Sequence, residues 1–564
     1  MAVTAGTTHS PAARAETTHS RAAGAGTTHS PAAGAGTTLS PAAGAGTTGA
    51  PPRAATAPSG GGRAPRPRRA GARPRRPRRP RRPRSPRRPL RLAHRRVGTA
   101  LHRRFWATLP ARLRLLRTAT VLLTVALALL LALAGLAATG TWDTVAGRDA
   151  PRTTSAADLN LALNDMDAQA ANLLLAGGDG GKGRLTTPYE KAVGFYGDAR
   201  RAIGHDLRAL AVAAQGDRTD EHTVESLTDD FAEYQELIGR ALENDDRVGG
   251  RPAALVDYRE ATDLLQAHLL PSARRLVDSN DSAFDRQYDQ ARSALAAQLT
   301  AVLALGALLL AALGVLQWYL ARRLHRILNP GVLAATVCAL LAVLLGSQAL
   351  SASADRLHGA RRDAFDSVVA LSRARAIAYD ANADESRYLL DPERRDQYAQ
   401  AFLAKSQQLY GMKGATLDSY DSGLGATWKE YRADHHTLDF GGEFARELTN
   451  LTFPGERTAA ERTVDAYAVY QRDDRRIRAL VAQGREREAV AFCMGWGPGT
   501  SNAHFGVWMT ALDKVTDINR RHFTAAVRAG RFEASGPLPW TCGLLLGAAA
   551  LILLGLRPRL AEFH

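Results

Sequence analysis

The 564-residue sequence is poor in sulfur, with three Cys and five Met, and poor in aromatics, at 6% of residues. So few cysteines exclude a disulfide scaffold, and Cys338 and Cys542 fall in apolar runs that hold them away from Cys493. Charge is missing from four stretches: no Asp, Glu, Lys, Arg or His occurs in residues 118–142, 293–321, 327–354 or 534–556. Each is dominated by Leu, Ala and Val and exceeds the ~20 residues that a helix needs to cross a bilayer, so four transmembrane helices are expected. The first run is too long, and sits too far into the chain, for the core of a cleaved signal sequence. The lack of ionisable groups inside the spans argues against an ion or proton pathway. No phosphate-binding loop, dinucleotide fingerprint, zinc-protease pair, nucleophile elbow or kinase signature occurs, so neither an enzyme nor a cofactor is expected.

Acidic residues are nearly absent from the start of the chain: residues 1–120 hold 25 Arg, no Lys and one acid, Glu16. The chain as a whole carries +18, so this tail contains more than the entire excess and the remainder is net negative. Residues 5–50 repeat a decamer seen as GTTHSPAAGA, with no large apolar side chain apart from Leu39 to offset the cost of ordering. Residues 1–117 are therefore expected to be a disordered tail, in which the Arg/Pro run stays extended and self-repelling. Such a run suits anionic lipid headgroups, nucleic acid or an acidic protein; the adjoining apolar helix favours lipid over nucleic acid. The composition is also what a GC-rich upstream reading frame would encode. His9, His19 and His29 recur every ten residues without Cys or acid nearby, which makes a poor metal site.

The basic residues that flank the spans set an orientation. The tail, Arg322, Arg323 and Arg326, and Arg557 and Arg559 all fall on one side if the four spans are real, and the positive-inside rule makes that side the cytoplasm. Residues 322–326 are then a basic inner loop and 557–564 a cytoplasmic C-terminus, with the whole a multi-pass protein of the cell membrane. Segments 143–292 and 355–533 are extracytoplasmic; the first has 27 acids against 17 bases, the second 26 of each. Trp142, Trp318 and Trp540 sit near span ends, where indole rings favour the interface.

Span, outer segment and span occur twice, and LNDMDAQAANLLLAG echoes AYDANADESRYLLDP at an offset of 215, matching Asp165 with Asp380 and Leu174 with Leu389. Apolar residues recur by three and four at Val224, Leu227, Phe231, Tyr234 and Ile238, and again at Phe505, Trp508, Leu512 and Val515. The expected fold is an all-α integral membrane protein with two four-helix-bundle-like outer domains, 143–292 and 355–533. Asp474 and Asn519 lie in register on such seams and are the ligand-contact candidates, although polar seam residues more often fix helix register. Asp434, His435, His436 and Asp439 read as a surface loop, and no metal site is expected. Gly543-x-x-x-Gly547 in the fourth span, like Ala128/Ala132 and Ala307/Ala311, offers small residues for close helix contact, the alternative being that they face lipid by chance.

The tandem arrangement resembles the sensory half of a dimeric bacterial chemoreceptor with its subunits fused. The four spans, the DAQAANLLLAGG stretch (167–178) and the segment CMGWGPGTSNAHFGVWMTALDKVTDIN (493–519) together resemble the GlnX-like actinobacterial membrane sensors. The resemblance implies an extracytoplasmic solute-binding protein that reports amino-acid availability, and a cytoplasmic Ser/Thr kinase that receives the signal. The Arg/Pro tail departs from that pattern. A homo-oligomer is compatible with the sequence, and the alternative function is a structural scaffold of the cell envelope, with the tail on anionic lipid or nucleic acid.

Overall fold

The computed structural model describes residues 109–178, 181, 183–324 and 329–561. The expectations for residues 1–108 of the tail, and for Arg326, lie outside the described residues. Residues 109–117, expected in the disordered tail, instead open the first helix, Leu109–Thr144, with Pro110 in its first turn, where a missing N–H costs nothing. The described residues belong to one compact unit, Pro89–His564.

Among the described residues the chain is helical and has no strand; a lone antiparallel bridge joins Gly411 to Gly441. Four rods dominate, Ala111–Gly177, Arg251–Arg322, Pro330–Leu390 and Ser501–Arg557, of 67, 72, 61 and 57 residues, and each is long and apolar enough to cross a membrane. The rods do not stop where charge begins. The first comprises α1 (Leu109–Thr144) and α2 (Ala150–Gly177). Shorter helices α3 (Thr186–Ala213) and α4 (Arg218–Asp245) follow, and the second rod is α5 (Arg251–Leu264) with α6 (Leu270–Leu324). The third is α7 (Pro330–His358) with α8 (Asp366–Leu390). Then come α9 (Arg395–Leu409), α10 (Tyr420–Ala433), α11 (Glu443–Thr449), α12 (Glu456–Ala482) and α13 (Glu486–Cys493). The fourth rod is α14 (Ser501–Ser535) with α15 (Leu538–Ala561).

Local chemistry sets these boundaries. The Asn329 side chain accepts from the N–H groups of Gly331 and Val332 and caps α7, with Pro330 in its first turn. Asp217 caps α4 in the same way. At the end of α2, Gly178 takes φ 73°, a conformation that favours glycine. The fourth rod is interrupted at Gly536–Pro537, where proline cannot continue the ladder. In the other three rods the joints are π-helical turns, Val145–Asp149, Leu265–Leu269 and Gly359–Phe365. The first and third fall at similar places in the duplication, one overlapping AGRDA (146–150) and the other containing ARRDA (360–364). Such turns insert extra backbone without ending a helix.

The apolar parts of α1, α6, α7 and α15 share a core that includes Leu127, Leu309, Leu316, Ala339, Leu545 and Ile552, while Leu122, Leu136, Leu308 and Leu546 face outward. A four-helix unit with leucine on both faces suits a lipid surround. Close approach occurs where glycine permits it. A Cβ on Gly306 would fall 2.6 Å from Val343, one on Gly346 2.5 Å from Leu131, and one on Gly331 3.0 Å from Gly555. A Cβ on Gly543 or Gly547 would meet nothing within 4 Å, so of the two readings of the GxxxG the close contact is not made and the glycines face away from the neighbouring helices. Trp142 is also placed differently from the expectation: it is 1% exposed, its Nε1 donates to Ser353 Oγ at 3.0 Å, and its ring lies against Gly530. It binds three helices together, whereas Trp318 and Trp540 are exposed.

Two further cores lie in the polar parts. One holds Met166, Ile203, Tyr234, Ile238, Tyr258 and Leu269 of the first half, together with Leu390, Ile477, Phe492, Cys493 and Met494 of the second. The other is rich in aromatics, among them Tyr410, Tyr431, Tyr467, Tyr470, Phe505 and Trp508.

Candidate functional site

The two halves meet along α2 and α8, the polar parts of the first and third rods. Both helices are almost wholly buried, yet their sequences are polar: Asn160, Asn164, Asp167, Gln169 and Asn172 on one, Asp380, Asn382, Asp384, Glu385, Ser386 and Arg387 on the other. These include the two segments whose echo marks the duplication, and they touch, since Ser386 Oγ donates to Asn172 Oδ1 at 2.7 Å. Buried polar groups cost several kcal/mol unless paired, so the pairing has to be close to complete.

At the level of Arg387 it is. This guanidinium is 1% exposed; Nη2 is ion-paired with Asp167, Nη1 lies 2.5 Å from Asp384 Oδ1, and Nε donates to Tyr258 OH at 3.2 Å. Tyr234 OH donates to Asp167 Oδ1 at 2.9 Å. Lys405 Nζ bridges Asp380 and Asp384 at 2.6 and 2.5 Å, and Asp380 also accepts from Gln266 at 3.0 Å and lies 3.6 Å from Arg274. Three carboxylates thus meet three cations, with members from each half. Burial pushes the Asp380 carboxyl up, but Lys405, Arg387 and Arg274 outweigh it and hold the group below its usual value. Asp165, its partner in the echo, rises to about 6, mainly through burial, which the Gln169 hydrogen bond and the Arg375 charge only partly offset. Next to the network, Glu385 contacts Ser501 Oγ and Tyr470 OH, each at 3.2 Å; burial and the charges of Asp474 and Asp473 raise it well above the carboxylate range.

About four turns of α8 from Arg387 toward the spans, Arg373 borders two cavities. The upper, of about 190 Å³, is lined by Asn160, Arg274, Val277, Asp278, Arg373, Ala376, Ile377, Gln408 and Glu443. Two of its buried polar atoms, Asn160 Oδ1 and Glu443 Oε2, have no hydrogen-bond partner. Arg373 is 2.8 Å from Asp278 and 3.7 Å from Asp281, and Arg446 donates to the other oxygen of Glu443 at 2.8 Å. The lower cavity, about 330 Å³, lies beside the π-helical turn Gly359–Phe365 and includes Asp281, Asp285, Arg361, Asp366, Arg373 and Glu447. Arg361, 1% exposed, pairs with Asp281 at 2.8 Å, with Asp285 at 2.6 Å and with Asp366, and packs over the Phe284 ring. Neither oxygen of Glu447 has a well-formed hydrogen bond; burial and the neighbouring Glu456 charge push its carboxyl to about 8, with Ser367 pulling slightly back.

Along this seam the cations come mostly from the second half and the acids from the first. Arg361, Arg373, Arg387, Arg394 and Arg531 meet Asp281, Asp278, Asp167, Asp263 and Asp143, with Arg259–Asp391 and Arg274–Asp380 reversed. The negative balance of segment 143–292 is thereby used.

The residues singled out in the sequence lie elsewhere. Asp474 is buried and paired at both oxygens with Arg478, at 2.8 and 2.9 Å. Asn519 is buried and donates to Glu456 Oε1 at 2.6 Å. Neither lines either seam cavity. His435 contacts Glu461 at 3.0 Å, and among the described residues no group of three His, Cys, Asp or Glu could hold a metal. Arg322 is exposed with its guanidinium over Trp318, Arg557 is exposed, and Arg323 and Arg559 lie on the same two helices.

A family model for the actinobacterial sensor domain matches residues 141–289. Those residues run from the C-terminal end of α1 through the polar part of α6, and so contain the first half's side of the seam; the match supports a sensing role. No curated protein and no solved structure matches the chain.

Proposed function

We propose that the protein is a non-enzymatic transmembrane signal transducer, with two extracytoplasmic helical domains, 143–292 and 355–533, and both termini cytoplasmic, as the arginines beside the spans imply. Its input is nutrient status, amino-acid availability reported by a solute-binding protein, and its output passes to a cytoplasmic partner of the Ser/Thr kinase class. One observation carries this reading: three rods run from the charged seam into the apolar spans with no break other than a π-helical turn. A helix of that kind transmits a shift made at one end, provided that whatever binds there prefers one of two packings. The sensor-domain match over 141–289 supports the same reading.

The test is deletion in the native host with nutrient-dependent kinase signalling as the readout, paired with purification of the full chain from membranes. Loss of the nutrient response and recovery of a solute-binding protein are expected. A deletion that leaves the response intact, with wall-synthesis or division proteins recovered instead, would favour the envelope scaffold and end the sensor reading.

A further inference from the structure

The fourth rod leaves its apolar span differently from the other three. At the first three exits the charges are matched: residues 143–152 hold two acids and two arginines, 281–292 three and two, and 355–366 three and three. Residues 520–533 hold four arginines, Arg520, Arg521, Arg528 and Arg531, against one acid, Glu533. That acid pairs with Arg356 of α7 at 3.2 Å, and Arg531 is taken by Asp143 of α1. Arg521 and Arg528 are exposed and make no ion pair among the described residues; each lies along its own helix, with Nε donating to the carbonyl of Asp517 and of Thr524 respectively. At ~100° per residue, Arg521, Arg528 and Phe532 fall within about 40° of one another on one face of α14. Phe532 is 73% exposed, and Trp540, beyond the Gly536–Pro537 break, is 74% exposed.

Free guanidinium groups above bare aromatic rings are the pattern of a helix that meets a membrane surface, with the cation among the headgroups and the ring at the acyl boundary. The heights agree. Arg528 is six residues, about 9 Å of helix, from the charge-free run 534–556, and the headgroup layer is about 5–8 Å deep, so its long side chain reaches the phosphates. The Arg521 backbone stands about 20 Å from the run, beyond that layer by more than a Debye length. We propose that this face of the fourth rod is a docking surface for the headgroup of an anionic phospholipid, in the leaflet opposite the one that the basic tail would meet. The Arg528 guanidinium takes the phosphate, while Phe532 and Trp540 sit at the boundary of the acyl chains. A soluble polyanion would engage Arg521 as readily as Arg528, and the bare rings favour the lipid. Gly530, against which the Trp142 ring lies, is on the opposite side of the same turns, so a bound lipid braces the helix where Trp142 joins three rods. The inference rests on the proposed topology only for which leaflet supplies the lipid.

The experiment uses full-length protein in lipid nanodiscs, with Cys338, Cys493 and Cys542 replaced by Ala and a bimane fluorophore on Ser535→Cys, an exposed position on the same face. Quenching is measured with brominated phosphatidylglycerol and with brominated phosphatidylcholine. Half-quenching should need about fivefold less of the anionic lipid, and added salt should narrow the gap. Arg528→Gln, at an exposed position that does not put folding at risk, should remove most of the preference, and Arg521→Gln little of it. If the cysteine replacements do not fold, native mass spectrometry of the wild-type and Arg528→Gln chains from mixed nanodiscs reads the same preference as retained phosphatidylglycerol. Equal quenching by the two lipids, or a preference that survives Arg528→Gln, would overturn the assignment. If Arg521→Gln costs as much as Arg528→Gln and soluble polyphosphate displaces the lipid, the surface serves a soluble polyanion and the lipid assignment falls. Labelling of Ser535→Cys in intact cells by a membrane-impermeant maleimide separates the topology from the site: lipid preference without labelling leaves the site standing and overturns the proposed orientation, while labelling without preference does the reverse.

Discussion

In the apolar parts of the rods, neighbours are fixed by shape: Gly306 against Val343, Gly346 against Leu131, and Trp142 wedged on Gly530. In the polar parts, the same rods are held by charge, with Arg361, Arg373 and Arg387 each shared between two or more carboxylates. Shape contacts have one good arrangement. Shared ion pairs have several of similar energy, because a guanidinium with two acceptors can lean to either. The seam is therefore the part suited to change state, and the spans are the part suited to carry the change rigidly.

This contrast is broken most directly at Arg387. Arg387→Met leaves Asp167 and Asp384 without their guanidinium, and a loss of about 3–5 kcal/mol is expected in thermal or denaturant unfolding. Adding Asp167→Leu should recover part of it. A loss under about 1 kcal/mol would mean that the seam is not held by charge.

Glu447→Gln probes the same seam through pH. The folded-state carboxyl titrates near 8 against an ordinary value of 4.5, so the native state retains the proton longer. Wild-type stability should fall as pH rises from about 5 to about 8, and the variant should lack that decline. The two should unfold alike near pH 4 and differ by about 2–4 kcal/mol above pH 8, an upper range set by linkage.

Gly530→Ala tests the shape-fixed side. Its Cβ would overlap the Trp142 ring, so the helices must separate, at about 1–3 kcal/mol. At the small end, Arg394→Gln removes a 3.0 Å pair with Asp263, whose side chain is 60% exposed; less than about 1 kcal/mol is expected, and added salt should erase it.

The spans were legible in the sequence because an absence of charge over 23 or more residues has few other physical meanings. Helical content followed from the three-and-four spacing around Phe231 and Trp508. The seam was not legible from periodicity. A helix such as α8, with Asp380, Asp384 and Arg387 among alanines, reads as solvated on most of its surface, and only packing against α2 and α9 reveals that it is buried. The repeat echo pointed to the correct segments without showing that the two copies pack on each other. Asp474 and Asn519 were reasonable as polar residues on apolar seams: Arg478, one turn away, pairs both oxygens of Asp474, whereas Glu456, 63 residues away, takes only the amide N–H of Asn519 and leaves its buried Oδ1 without a partner.

The central claim is that the charged seam controls how the spans sit. It is tested by pulsed electron–electron distances between nitroxides at Arg322→Cys and Arg557→Cys, with Cys338, Cys493 and Cys542 replaced by Ala, in nanodiscs. The distribution with native Arg361 should shift or broaden when Arg361→Met removes the cluster with Asp281, Asp285 and Asp366. Superimposable distributions from a variant that remains folded would contradict the account.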